Sequence, residues 1–426
     1  MEQGDFVTVE TDDKTQTGRF VQGRDNHVFI KLDSGYNVGI HTENVKDITV
    51  DQTAQERSSP GSVDQDTSLP DVHILHTGGT IASKVDYQTG GVTNAYDVNE
   101  LLSLFPELHD HAHITSTFLF NKSSEDLRFG DYNDIVDGVR QAVQDDPEGI
   151  IIAMGTDTMH YAANALSYAL QGLPCPVVLV GAQRSSDRPS SDAANNLLSA
   201  VSFITSDNVS YHGVALCMHG DIESNEAYIH RGTKTRKMHT SRRDAFKSVN
   251  DTPLTTVSFD DYTVTEEVHE ETTQDFDTKP FNTDLKIGLH KSRPHMHADE
   301  LEQYKDYDGL ILEGTGLGHY PIDGDDENKA ILNVIDELAA TIPVVMTSQT
   351  IHGRINQQVY SHGRRLKDLG VLGHGHDETP EAAYIKLAWL LSQHDAKKAR
   401  QLYDANIAGE QSPNSHIQDY TNEYDA

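Results

Sequence analysis

Cysteine and tryptophan are nearly missing from this 426-residue chain, which has two of the first and one of the second. The two thiols, Cys175 and Cys217, each sit inside an apolar run. That excludes a disulfide framework and predicts buried core thiols. Basic residues are scarce as well: 33 Lys plus Arg stand against 67 Asp plus Glu, for a formal net charge of -34. A protein that grips a polyanion alone needs a basic face, because phosphate neutralisation supplies most of its affinity. Any contact with RNA must therefore be local or shared with a partner. No apolar run reaches bilayer-spanning length, and the first residues hold neither a basic n-region nor an apolar h-region. A soluble, cytoplasmic protein with no membrane association is expected. The acidic excess is spread along the whole chain. Such charge repels itself unless salt screens it, and the Debye length falls to roughly 3 Å at 1 M. The composition thus predicts a halophilic cytoplasm.

What is present divides by pattern. Residues 1–50 show short alternating segments (Val7 and Val9; Val28, Ile30 and Leu32; Tyr36, Val38 and Ile40) with turn residues between them. That predicts a small antiparallel β-barrel. Residues 51–70 hold three apolar side chains and read as a linker. From Asp71 onward, short apolar strands at 72–76, 149–154, 177–180, 213–218, 285–289, 309–313 and 343–347 alternate with helical patterns such as Met159, Ala162, Leu166 and Ala169. This alternation predicts an α/β body with a mostly parallel sheet covered on both faces. The expected layout is a larger α/β domain at 71–262, a polar connector at 263–283, a smaller α/β domain at 284–407 and an acidic tail at 408–426, frayed beyond about Asp404. Thr379-Pro380-Glu381 supplies an N-cap, a first-turn proline and an acidic first turn for a last long helix.

Two Thr-Gly segments carry the chemistry. Thr77-Gly78-Gly79-Thr80-Ile81 and Gly155-Thr156-Asp157-Thr158 each follow a predicted strand. In an α/β sheet the C-terminal strand ends form the ligand crevice, so both loops would face one site. A threonine hydroxyl is a weak nucleophile near neutral pH and needs a proton acceptor within reach. Lys234 and Lys237 are candidates. To act as a base a lysine must lose about three pKa units, roughly 4 kcal/mol, through burial and cationic neighbours. Asp157 would orient it while opposing that shift. Other motifs carry less. Gly314-Thr-Gly316-Leu-Gly318 lacks the dinucleotide spacing, no phosphate loop occurs, and His374-Gly375-His376 has no second ligand cluster, so no metal is expected. His160 reads as a helix-surface residue.

These segments resemble the bacterial-type L-asparaginase family, whose signatures are a T-G-G-T-I loop and an H-G-T-D-T loop. The similarity runs from about Asp71 to Ile407 and includes Gly181-Ala182-Gln183-Arg184, Ala245–Asn250 and Leu312–Gly316. The resemblance implies a two-domain asparaginase-like body in which Thr80 and Thr156 are the catalytic threonines, Asp157 the acidic partner and Lys237 the lysine. Counting back from Phe246-Lys247-Ser248 puts Lys237, not Lys234, at the family position. Ser124, Gly79, Gly155 and Ala182 become substrate-binding positions, and either Tyr87 or Tyr96 the tyrosine beside Thr80. Met154 stands where the second signature has histidine, which affects packing behind the loop. A resemblance over the whole chain, adding the barrel and the basic stretch 231–243, is to the D-subunit family of archaeal glutamyl-tRNA(Gln) amidotransferases. It implies that ammonia from glutamine or asparagine passes to a tRNA-binding partner subunit (E type). That partner would use ATP and Mg²⁺ to amidate Glu-tRNA(Gln), with no cofactor on this chain and the asparaginase-like body paired as a homodimer. A free L-asparaginase is the alternative.

Overall fold

The computed structural model describes residues 5–11, 14–24, 27–32, 37–52, 65–79, 83–85, 92–94, 102, 105–184, 191–221 and 225–415. Thr80, Tyr87 and Tyr96 lie outside the described residues.

Five strands, β1 (Phe6–Thr11), β2 (Thr15–Arg24), β3 (His27–Lys31), β4 (Asn37–His41) and β5 (Val45–Gln52), form an antiparallel sheet in the order β4-β3-β2-β1-β5. Val7, Val9, Phe20, Val28, Ile30 and Ile40 pack on its inner face, as the alternation requires. The barrel closure expected from the sequence is not found, since no β4–β5 pairing occurs among the described residues. A single 3₁₀ turn at Thr42–Asn44 nevertheless joins these two opposite edges. At about 3.5 Å per residue so short a connection forces the sheet to curl strongly on itself.

The main sheet has seven strands. In chain order they are β6 (Asp71–His76), β7 (His113–Phe118), β8 (Gly149–Ala153), β9 (Val177–Val180), β10 (Val214–His219), β11 (Glu226–Arg231) and, after the short hairpin β12 (Thr235–Lys237) and β13 (Phe246–Ser248), β14 (Thr255–Ser258). The order across the sheet is β14-β11-β10-β9-β8-β6-β7. From β7 across to β10 all neighbours are parallel, and β11 and β14 complete one edge antiparallel. At the other edge the linker ends usefully: the Gln65 side chain donates to Ile114 O at 3.0 Å and accepts from Ile114 N at 2.8 Å. This covers backbone groups that an open edge would leave exposed.

Helices α1 (Phe129–Ala142) and α2 (Met159–Ala169) cover one face, and α3 (Ala193–Thr205) covers the other. A smaller parallel sheet, β15 (Ile287–Lys291), β16 (Gly309–Gly314) and β17 (Val344–Ser348), carries α4 (Asp326–Thr341), α5 (Ser361–Asp368), α6 (Pro380–Gln393) and α7 (Ala396–Leu402). The two bodies share a core. α6 packs on α2, with Tyr168 and Trp389 stacked at 5.8 Å, and one apolar cluster spans Ala162, Leu166, Leu387 and Trp389. The 263–283 stretch is also tied down, Val268–Glu270 pairing with Val209–Tyr211 and Asp277–Thr278 with Leu170–Gln171. Both thiols are buried and unpaired, and burial pushes Cys175 up to about 12.

The frayed tail is a correction. Residues 405–415 are docked: Glu410 is fully buried, its carboxylate 2.6 Å from Lys386 Nζ and accepting from Ile407 N and Ala408 N. The sequence shows an acidic, lysine-free end. It does not show that one of those acids neutralises a buried lysine on α6.

Candidate active site

Parallel pairing places His76 beside Ala153 and Ala153 beside Val180, so the loops after β6, β8 and β9 leave the sheet at one level. Glycines let them touch. Gly78 and Gly79 adopt φ of 115° and 88°, and a Cβ on Gly79 would strike the backbone of Met154 and Gly155. Only glycine fits there. A Cβ on Gly155 would lie 3.1 Å from Ser124, which is buried and accepts from Thr158 N at 3.3 Å. Thr158 Oγ1 donates to Ser124 O at 2.5 Å, which locks the two segments together.

The third β-end contributes Gly181 and Ala182. A Cβ on Gly181 would meet Thr156 Cγ2 at 2.7 Å, so this backbone lies directly against the second threonine. Asp192, fully buried, accepts from Gln183 N and Arg184 N at 3.0 and 2.9 Å, and Asn196 Nδ2 donates to Gly181 O at 2.9 Å. Reading by motif passes over Asp192, although an aspartate just before an apolar helix is a legible cap-like signal. Met154 is buried in the core cluster behind the loop, and its N–H donates to Val180 O at 3.1 Å.

Lys237 arrives on β12, paired across the hairpin with buried Phe246. Its Nζ donates to Thr156 Oγ1 at 2.9 Å and to Asp157 Oδ1 at 2.7 Å. The lysine side chain is 8% exposed and the aspartate 64%. A mostly buried amine thus bridges a threonine hydroxyl and a carboxylate that faces water. This is the proton-transfer arrangement hydroxyl-nucleophile chemistry needs. Lys234 is directed elsewhere, 3.1 Å from Asp377 Oδ1 at an angle outside hydrogen-bond geometry.

His160, expected on the helix surface, is instead buried, because α2 is covered by both bodies. Burial chiefly, helped by the Arg236 and Lys237 cations and opposed by Glu381, lowers it to about 4. His376 is an internal ion-pair partner, 3.4 Å from Glu378 and 3.1 Å from Asp404. Among the described residues no group of three or more His, Cys, Asp or Glu is arranged to hold a metal. A cavity of about 760 Å³ opens beside Ser124 and Thr158, with Lys122, Arg128, Tyr161 and Tyr384 also lining it. Lys237, Thr156 and Asp157 do not line it.

Comparison with known proteins identifies the domains. The chain matches "Asparaginase, N-terminal" over residues 71–270, "Glutaminase/Asparaginase C-terminal domain" over 286–403 and "GatD N-terminal domain" over 1–50. It is 40% identical to the D-subunit of glutamyl-tRNA(Gln) amidotransferase from Methanococcus maripaludis, covering 96% of this chain and 98% of that protein. The corresponding D-subunit of Pyrococcus furiosus is also 40% identical, over 97% and 95%. Among solved structures, the thermostable L-asparaginase from Thermococcus kodakarensis superposes with a TM-score of 0.72 at 30% identity, covering 81% of this chain and all of that one. With its own N-terminal module and both asparaginase-type bodies matched, the chain belongs to the D-subunit family of glutamyl-tRNA(Gln) amidotransferases.

Proposed function

We propose that this chain is the ammonia-producing subunit of a tRNA-dependent amidotransferase, cleaving the side-chain amide of glutamine, with asparagine as the second candidate donor. Thr80 attacks the amide carbon, the C–N bond breaks, and the nitrogen leaves as ammonia after taking up a proton. Water then resolves the acyl-enzyme. Thr156, Lys237 and Asp157 move the protons, the 2.9 and 2.7 Å contacts of Lys237 being the observation that carries this reading. Backbone N–H groups near Thr156 stabilise the oxyanion. Ser124 takes the substrate carboxylate, with Gly79, Gly155 and Ala182 as the backbone walls.

The ammonia goes to a tRNA-binding partner subunit that amidates Glu-tRNA(Gln) with ATP and Mg²⁺. This chain's sequence supplies no phosphate loop for that step. The curled, barrel-like 1–50 module and the 231–243 stretch are the surfaces assigned to the partner, and two asparaginase-like bodies pair as a homodimer. The match of residues 1–50 to the GatD N-terminal domain favours this over a free asparaginase. No helix among the described residues is long and apolar enough to cross a membrane, and we assign the chain to the cytoplasm. The net charge of -34 points to concentrated salt as its medium, so its melting temperature should climb through a KCl series. A flat response would remove that setting.

The functional test is ammonia release from glutamine and from asparagine, with and without the partner, Glu-tRNA(Gln) and ATP. Release that rises when all three are added is expected. Asparagine hydrolysis indifferent to them would favour the free asparaginase.

A further inference from the structure

Three of the four residues from Lys234 to Lys237 are cationic, yet only Lys237 faces the threonine. The other two reach across the domain boundary. Arg236 Nε and Nη2 both donate to Glu381 Oε1, at 3.0 and 2.8 Å. Lys234 lies 3.1 Å from Asp377, each side chain 2% exposed. Asp377 and Glu381 flank Thr379, which caps α6 by accepting from Ala382 N at 3.2 Å. The strand that carries Lys237 is therefore tied through Arg236 to the first turn of α6, and the residue just before the strand, Lys234, is paired with Asp377 in the loop that leads into that helix.

That helix holds the other half of the site as well. α6 packs against α2, and α2 begins two residues after Asp157. Lys237 and Thr156 thus hang from the same helix by separate routes, one through ion pairs and one through apolar packing. The ion-pair route is costly to build, since burying charges loses their hydration unless the partners are well matched. Glu381 Oε2 is buried with no hydrogen-bond partner among the described residues, so this carboxylate is committed to Arg236 at the expense of its second oxygen. β12 itself is only three residues long, with one ladder neighbour and an exposed stretch from Met238 to Ser241 after it. Left to its own hairpin it has little to fix its depth. A shift of about 1 Å at a reacting group can cost on the order of 100-fold in rate.

We propose that Glu381 is a positioning residue for this amidase: through Arg236 it holds Lys237 within hydrogen-bonding reach of Thr156, with Lys234 and Asp377 as the second clamp. The inference rests on Lys237 being the proton-transfer lysine. A purely structural pair would lower the melting temperature and leave turnover of the folded enzyme alone.

The test uses the full chain and ammonia release from glutamine, assayed below the melting temperature of each variant. Glu381→Gln and Arg236→Met should each lower kcat about tenfold with KM within about twofold, since the reacting group moves and the Ser124 pocket does not. The double variant should be no slower than the slower single, because both changes break one link. Arg236→Lys, which keeps the charge, should recover part of the loss. Wild-type kcat in both singles, a loss carried by KM, or losses that multiply in the double variant would each overturn the positioning role. Lys237→Met separates the two claims. If it turns over like the wild type, the reading of Lys237 fails; if it is inactive while Glu381→Gln is unimpaired, only the positioning role fails.

Discussion

Lys386 and Lys237 both pair with carboxylates, but their surroundings are opposite in kind. Lys386 is fully buried, 2.8 Å from Glu378 and 2.6 Å from Glu410, and also donates to Ala405 O at 2.9 Å. Its three donors are all used. Lys237 meets one carboxylate, Asp157, which is 64% exposed, and spends a second donor on a hydroxyl. The closed set has nothing left to give and serves to hold the C-terminal segment against α6. The open set keeps the Thr156 hydroxyl in contact and water at its far side, as the proposed proton transfer requires. Saturation of the donors, more than the identity of the residues, separates the two sets.

The comparison breaks most visibly at the open set. Lys237→Met, Thr156→Ala and Asp157→Asn should each reduce glutamine hydrolysis by about 10²–10⁴-fold, the range of a lost proton-transfer group, with melting temperature little changed. The three act as a unit, so double variants should be scarcely slower than singles. Ammonia release and a thermal melt on the same samples check both halves. A single variant with wild-type turnover would remove its residue from the mechanism.

At the closed set the same kind of substitution should do the reverse. Lys386→Met strands two buried carboxylates and should cost about 3–5 kcal/mol of stability. Adding Glu378→Gln and Glu410→Gln should return part of it, because no charge is then left unpaired. Denaturant unfolding of the single and triple variants measures the difference. A single variant as stable as the wild type would mean the network holds nothing.

The closed set also makes stability depend on pH. Burial works to lower His376, but the carboxylates of Asp404 and Glu378 outweigh it and raise it to about 9. Its folded value thus exceeds the ordinary 6.5, so its contribution is complete below pH 6.5 and is lost as pH rises toward 9. Burial likewise works to raise Glu378, but Lys386 and His376 prevail and hold its carboxyl well below the usual range. That contribution is present above the ordinary carboxylate value and lost in acid. Melting temperature should therefore fall between pH 6.5 and 9 in the wild type, and His376→Gln should flatten that limb. Parallel curves for the two proteins would exclude His376 as the cause.

Local signals make much of this legible. β6 and β8, predicted at 72–76 and 149–154, are found at Asp71–His76 and Gly149–Ala153, because strands buried on both faces must be apolar throughout. The meeting of Gly155, Thr156, Asp157, Ser124 and Lys237 follows from strand ends and family motifs. Contacts between distant charges are not legible. Nothing near Arg236 names Glu381, 145 positions away, and an acidic tail looks the same whether one of its carboxylates is buried or all are solvated. His160 is misplaced by sequence for a related reason. The apolar period of α2 marks one covered face, whereas α6 of the second body covers the other.

The smallest expected effect concerns the helix on which both sets depend. Thr379 caps α6 by accepting from Ala382 N, and Pro380 occupies the first helical position. Replacing the cap with alanine leaves an N–H unsatisfied and costs typically about 1 kcal/mol. Because Thr379 lies between Asp377 and Glu381, a frayed first turn would loosen Lys237's clamp, while the hydrogen bonds from Lys386 to Glu378 and Ala405 O lie to either side of that turn. Thr379→Ala should thus lower kcat by a few-fold at a small stability loss, and Thr379→Ser, which keeps the hydroxyl, should restore both. If the alanine variant loses stability with kcat unchanged, the cap stabilises α6 without reaching Lys237, and the open set takes its geometry from elsewhere.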